Sequence, residues 1–285
     1  MRYDDQAMIG NEHTRRSCRM NLLSVRLIWL ALFPILPGFA QSTAHSYMKR
    51  AEVTVDSGKT RIVANSPRPL EQALDALQQK YGWIINYEDP RYTSPVDLID
   101  APDQQKTTRV PAGGSFSVEI ADSAKTDSAK TDSDKTVSAK AEEKMLRAII
   151  EAYNRSQNPG RFEIRTSAQG EVDVVGAAAH DAKGGISQQE VLFDLPIALP
   201  SKERTLVETA ELICQQLTEQ GQVTVTLGVY PRSTLGHTPV TIGGAKAPAR
   251  DLLRQCLQAA KRKLYWQLIF DPEAHCYFLN IHGLL

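Results

Sequence analysis

Four segments of this 285-residue chain carry apolar residues at helical spacing, and they form two matched pairs. Leu70, Leu74, Leu77 and Tyr81, with Ala73 beside them, stand at offsets 0, 4, 7 and 11; Leu206, Ala210, Ile213 and Leu217 repeat those offsets. Leu146, Ile149, Ile150 and Tyr153 stand at 0, 3, 4 and 7, and Leu253, Cys256, Leu257 and Ala260 repeat that pattern. Each stripe makes one face of an amphipathic helix, which must bury that face against something else. The stretches that follow the helices supply the partner, because they read as strands.

After the first stripe, Gly82 suits a helix end that needs positive φ, "WIINY" is a strand with an apolar core, and Asp89-Pro90 closes it. "TRIVAN" is a strand before that helix. Later, "VLFDLPIAL" precedes the third stripe, Gly221 ends it, and "QVTVTLGVY" follows. "SFSVEI" precedes the second stripe, Asn158-Pro159-Gly160 breaks it, and "RFEIRT" and "EVDVVG" follow as two strands. "PVTIGG", then "LYWQLIF" and "CYFLNIH", play those parts around the fourth stripe; Leu264, Trp266, Leu268 and Phe270 share one side of their strand. The expected fold class is therefore α+β, with the order β-α-β-β-α-β-β written twice on small mixed sheets. The expected boundaries are module one at 52–177, a small, polar, glycine-rich linker at 178–189, and module two at 190–285. The Asp-Ser-Ala-Lys-Thr repeat at 121–141 has almost nothing to bury and reads as a disordered insertion in module one, with the helix beginning near Glu142. Residues 93–112 read as loop.

This order resembles the STN domain, the short module at the N-terminus of secretins (there called N0-like) and of TonB-dependent transporters. The residues that carry the resemblance are Pro69, Leu70, Ala73, Leu74 and Leu77 before "WIINY", then "KMLRAIIEAYNRS…RFEIRTSAQGEVDVVG". In module two they are "PVTIGGAKAPARDLLRQCLQAAKRKLYWQLIFDPEAHCYFLNIHG". Small modules of periplasmic anti-sigma regulators share much of the pattern. The resemblance implies two compact modules that contact other proteins in the periplasm of a Gram-negative bacterium, with a secretin, TonB-type or regulatory component as partner. No barrel-sized segment follows Leu285 in this sequence, so pore formation and transport are not expected.

The N-terminal 40 residues read as a signal peptide: an apolar run from Leu27 to Leu36, preceded by Arg15, Arg16, Arg19 and Arg26, with Gly38 and Ala40 before Gln41. Met20 is an alternative start to Met1. Pro34 and Pro37 interrupt the run, so no membrane span is expected after cleavage, and the product is periplasmic or secreted. Basic and acidic residues balance at 33 each over the whole chain; without residues 1–40 they stand at 28 against 30. That near-neutral balance gives no electrostatic case for nucleic acid. Cys214, Cys256 and Cys276 follow the leader; buried free thiols are expected, with a Cys214–Cys256 bridge as the alternative.

Catalytic motifs are not found. His45, His180, His237, His275 and His282 lie in no zinc-protease spacing, and the Gly-Gly pairs at 113, 184 and 243 lack a phosphate-loop context. His275, Cys276 and His282 can be drawn as a metal site, but positions 276 and 282 lie ~20 Å apart along an extended strand. Glu88-Asp89 and Asp271-Pro272 are read as turn residues, and Trp83 and Trp266 as core. No catalytic, cofactor or metal residue is assigned, no cofactor is expected, and the partner-binding residues are unknown. The expected function is a non-catalytic protein–protein interaction or scaffold module of the envelope. The alternative is an envelope hydrolase with its site in the cleft between modules. Small sheets leave open edges that accept a partner strand, and "WIINY" and "VTVTL" are the candidate edges.

Overall fold

A computed structural model describes residues 49–102, 107–121, 134–167 and 170–284. The chain divides into two units, 1–44 and 45–285, and all described residues belong to the second. Residues 1–40, where a signal peptide is expected, and residues 122–133 of the repeat lie outside the described residues.

The first half begins with a hairpin of β1 (Glu52–Asp56) and β2 (Lys59–Asn65), followed by α1 (Pro69–Tyr81) and β3 (Ile85–Glu88). A 3-10 turn at Pro95–Asp97 leads into a second hairpin, β4 (Leu98–Pro102) and β5 (Thr107–Pro111). Then come β6 (Ser115–Ala121), α2 (Asp134–Arg155), β7 (Arg161–Thr166), β8 (Val172–His180) and the short β9 (Ile186–Gln188). The second half runs from a 3-10 turn at Leu192–Asp194 through β10 (Pro196–Thr205), α3 (Leu206–Gly221), β11 (Thr224–Leu227) and the one-turn α4 (Arg232–Leu235). It closes with β12 (Pro239–Pro248), α5 (Ala249–Gln258), β13 (Leu264–Asp271) and β14 (Cys276–Gly283).

The fold is mixed α and β, compatible with the expected α+β class. The helices form where the stripes place them. Leu70, Ala73, Leu74 and Leu77 of α1 are buried, Pro69 opens the helix where its missing N–H costs little, and Gly82 closes it at φ 71°. In α3, Leu206, Ala210, Ile213 and Leu217 are buried, and Thr205 and Glu208 form a reciprocal capping box.

Strand pairing recurs between the halves. β2 pairs antiparallel with β6, β3 parallel with β8, and β7 antiparallel with β8. Likewise β10 pairs antiparallel with β12, β11 parallel with β14, and β13 antiparallel with β14. Two apolar clusters match the halves. One gathers α1, α2 and the strands around them, from Ile62 to Val174; the other gathers α3, α5 and their strands, with Tyr92 and Ala179 reaching in from the first half. The halves are nonetheless joined, because β13 pairs in parallel with β3, and one sheet runs β11-β14-β13-β3-β8-β7 with β9 on β8.

Several expectations are corrected. Residues 93–112 are not all loop: they hold the 3-10 turn and the β4–β5 hairpin, in which Leu98 pairs with Pro111 and Ile99 with Val110. Alternation in "VDLIDA" is short and acidic, so its strand pattern is weak. The stretch 178–189 is no plain linker either. β8 runs on to His180, and β9 folds back on it with His180 opposite Ile186. α2 begins at Asp134, eight residues before Glu142; the Ala and Lys residues among them favour helix. The strand expected at "VLFDLPIAL" starts only at Pro196, after a turn through Leu192–Asp194. Cys214, Cys256 and Cys276 are free and buried, with no Cys214–Cys256 bridge.

Candidate interaction site

The two strands singled out as edges have different fates. "WIINY" supplies β3, which is interior to the large sheet, between β13 and β8. "VTVTL" supplies β11, which ends that sheet; β7 ends it on the other side.

β3 is interior because the second half docks on it. Gln267 of β13 lies opposite Tyr87 and Leu268 opposite Glu88, and the Asp89 N–H donates to the Leu268 carbonyl at 2.9 Å. The sequence made Glu88 and Asp89 turn residues; the structure buries both to about 1% exposure and makes them the chemistry of the seam. Asp89 Oδ2 accepts from Arg68 Nε at 2.6 Å and from the Phe270 N–H at 3.1 Å, while its Oδ1 accepts from the Tyr87 hydroxyl at 2.7 Å. Arg68 also donates to the Phe270 carbonyl. This clamp ties the start of α1 and the end of β3 to β13.

A second cluster surrounds Asp173 of β8. Its Oδ1 accepts from Asn86 Nδ2 at 2.7 Å, and its Oδ2 accepts from Arg250 Nη1 at 2.9 Å and Arg254 Nη2 at 2.8 Å. Arg254 also donates to Glu171 and to Asp251, at 2.8 and 2.7 Å. Asn86 accepts from the Trp266 N–H at 3.1 Å, so one side chain serves both halves. Glu88 Oε1 accepts from the Leu192 N–H at 2.6 Å, and Arg250 Nη2 lies 3.7 Å from Glu88 Oε2. Arg250 Nε stands 2.7 Å from Asp194 Oδ1, but at an angle that makes no hydrogen bond.

Burial pushes the Glu88 carboxyl up to about 8, against the pull of Arg250 and two backbone N–H groups. Burial also raises Glu71, to about 7; this carboxyl on α1 accepts from Gln267 Nε2 at 2.8 Å. Asp75, one turn on, accepts from the Tyr265 hydroxyl at 2.9 Å. The arrangement is that of a lock between packed elements. Its polar groups face one another, and the cavity beside it, lined by Asn86, Glu171, Arg254 and Trp266, holds only about 50 Å³. A larger groove of about 600 Å³ lies between α1 and the start of β1, with Glu71 and Asp75 in its lining.

The other sequence candidates are scattered. Cys276 pairs with Asp271 and His282 with Tyr265, at opposite ends of the β13–β14 hairpin. His275 sits in the turn at φ 51°, where Asp271 Oδ1 accepts from the Glu273 and Ala274 N–H groups. Trp266 is buried and stacks on Phe193 with centroids 4.6 Å apart; Trp83 stacks on Tyr81 at the same distance. Among the described residues, no group of three His, Cys, Asp or Glu side chains could hold a metal ion. One pair escaped the sequence reading: His180 Nδ1 lies 2.6 Å from Oδ1 of the buried Asp97, which also accepts from the His180 N–H. The two are 83 positions apart, and only the β8 extension brings them together.

Comparison with family models, with curated proteins and with solved structures returns no match for this chain.

Proposed function

We propose that this chain is an exported, non-catalytic protein–protein interaction or scaffold protein of the bacterial envelope, built from two tandem STN-like modules. The observation that carries this reading is the seam itself. One half holds the other by laying an edge strand along it and locking the contact with buried ion pairs, so edge association is already a working property of this fold. Matched strand pairings in the two halves support a duplicated module, and the residues resembling the STN family support a periplasmic partner from a secretion, TonB-type or regulatory complex. The apolar run behind Arg26 supports export. Among the described residues no helix is long and apolar enough to cross a membrane.

Crosslinking and pull-down from envelope extracts test the proposal. A specific secretion, transport or regulatory component recovered with the chain is the expected result. A chain that captures nothing while turning over a small envelope substrate would overturn it.

The hydrolase reading rests on a different observation, the Asp97–His180 pair, in which a buried carboxylate orients a partly exposed imidazole as a general base requires. That pair joins β8 to the 3-10 turn before β4, whereas the seam is filled by the β3–β13 ladder and its ion pairs. Loss of substrate turnover in His180→Ala, with the fold intact, would favour it.

A further inference from the structure

Apart from β9, the large sheet consists of two strand triplets of one kind, β3-β8-β7 and β11-β14-β13, each a parallel pair followed by an antiparallel pair. They meet head to tail: the last strand of the second triplet, β13, lies on the first strand of the first, β3. A head-to-tail contact uses two different surfaces and leaves one of each unused. Here the unused surfaces are the β7 edge and the β11 edge, the counterparts of β13 and β3.

Position by position the edges correspond. Ile85 stands opposite Val172 as Val225 stands opposite Tyr277, which makes Leu227 the counterpart of Tyr87. Phe162 stands opposite Gly176 as Trp266 stands opposite Ile281, which makes Ile164 the counterpart of Leu268. Side chains close the flanking positions in both cases. Within the joint, Gln78 accepts from the Ile85 N–H and Asn86 from the Trp266 N–H. On the free edges, Thr218 accepts from the Val225 N–H, and Asn154 both accepts from the Phe162 N–H and donates to its carbonyl. Backbone groups alternate in direction along a strand. Ile164 and Leu227, two residues beyond the closed positions, therefore point their N–H and C=O groups out of the sheet. These are the positions whose counterparts, Leu268 and Tyr87, carry the internal joint.

We propose that copies of this chain associate head to tail, the β7 edge of one pairing in parallel with the β11 edge of the next, as β13 pairs with β3 inside each copy. The contact is heterologous, so a pair of copies still presents one free β7 edge and one free β11 edge to further copies. It is also weaker than the internal joint. The positions of Glu88 and Asp89 are taken, just past the end of β11, by Gly228 and Val229, and the Val229 N–H is already held by Asn280. Val229 is 64% exposed at that end, which leaves apolar surface for a neighbour to cover. Association is thus reversible and rises with concentration.

Sedimentation of the purified protein across a concentration series tests this. The mean mass is expected to climb past that of a dimer, with no plateau there. Ile164→Pro and Leu227→Pro each remove an outward N–H, a place where an edge strand accepts proline, and each variant alone is expected to stay monomeric. Mixed, they restore one intact β7 edge and one intact β11 edge, so heterodimers and nothing larger should form. A wild type that is monomeric throughout, variants that associate like the wild type, or a mixture that stays monomeric would each overturn the proposal. Should either proline variant fail to fold, amide exchange of the wild type decides: the Ile164 N–H must slow with rising concentration, and a rate independent of concentration refutes the pairing.

Discussion

At the scale of single residues, the seam is governed by charges removed from water. Glu88 is the most exposed to pH, because its carboxyl is raised by burial to about 8 in the folded chain. An acid whose folded pKa lies above its unfolded value binds its proton more tightly when folded. Its contribution is complete below the unfolded value near 4.5 and is lost as pH rises through about 8. Glu71 and Glu142, both raised to about 7 by burial, act in the same direction. Melting temperature should therefore fall between pH 5 and about 8.5. Glu88→Gln should flatten the upper part of that slope and leave the part due to Glu71 and Glu142. An unchanged slope would mean that Glu88 stays ionised beside Arg250. Asp173 accepts from Asn86, Arg250 and Arg254 at once. Asp173→Leu strands two buried guanidinium groups and should cost about 3–5 kcal/mol by chemical denaturation. A double-mutant cycle with Arg254→Met should recover part of that loss, because the stranded charge is then gone.

At the scale of elements, local grammar and long-range pairing separate cleanly. The four helices with apolar stripes were legible because burial of one face is written at fixed spacing along a single segment: Leu70, Leu74 and Leu77 are buried as that spacing requires, and so are Leu253, Cys256 and Leu257. The capping box at Thr205 and Glu208 is equally local, and Thr205→Ala should lower stability by about 1 kcal/mol in a thermal or denaturant melt. The seam was not legible. Asn86 and Asp173 are 87 positions apart, and Arg250 and Asp173 are 77 apart, so no window of sequence contains both partners. Glu88 and Asp89, before a proline, carry the composition of a turn; the Leu192 turn and β13 arrive from the second half to bury them as acceptors for the Leu192 and Phe270 N–H groups, beside Arg68. The β4–β5 hairpin was missed because its strands are short and polar. Gly176 shows how tightly these elements meet. A Cβ there would stand 2.2 Å from the Pro90 backbone nitrogen, where the chain leaving β3 crosses β8. Gly176→Ala should therefore destabilise by roughly 1–3 kcal/mol, since a backbone atom rather than a flexible side chain must move.

At the scale of the whole molecule, two apolar clusters share one sheet, and the question is whether they melt together. Separate cores in one chain melt independently unless the contact between them is strong. Here the strand contact is short, since two residues of β13 pair with two of β3. The Asp89–Arg68 clamp and the Asp173 cluster reinforce it at either end. Each cluster pairs carboxylates and guanidinium groups drawn from both halves or bridging to the backbone of the other. Opening the seam alone would expose these groups, but it would also break pairs that neither half can complete by itself. Calorimetry of the intact chain should therefore show a single transition. A variant carrying both Asp89→Ala and Asp173→Ala removes the two locks while leaving the apolar faces of α1, α2, α3 and α5 untouched, and it should melt in two steps, one for each core. A single transition merely shifted to lower temperature would place the coupling in the β3–β13 ladder and the apolar packing around Trp266 and Ile269 rather than in the buried charges.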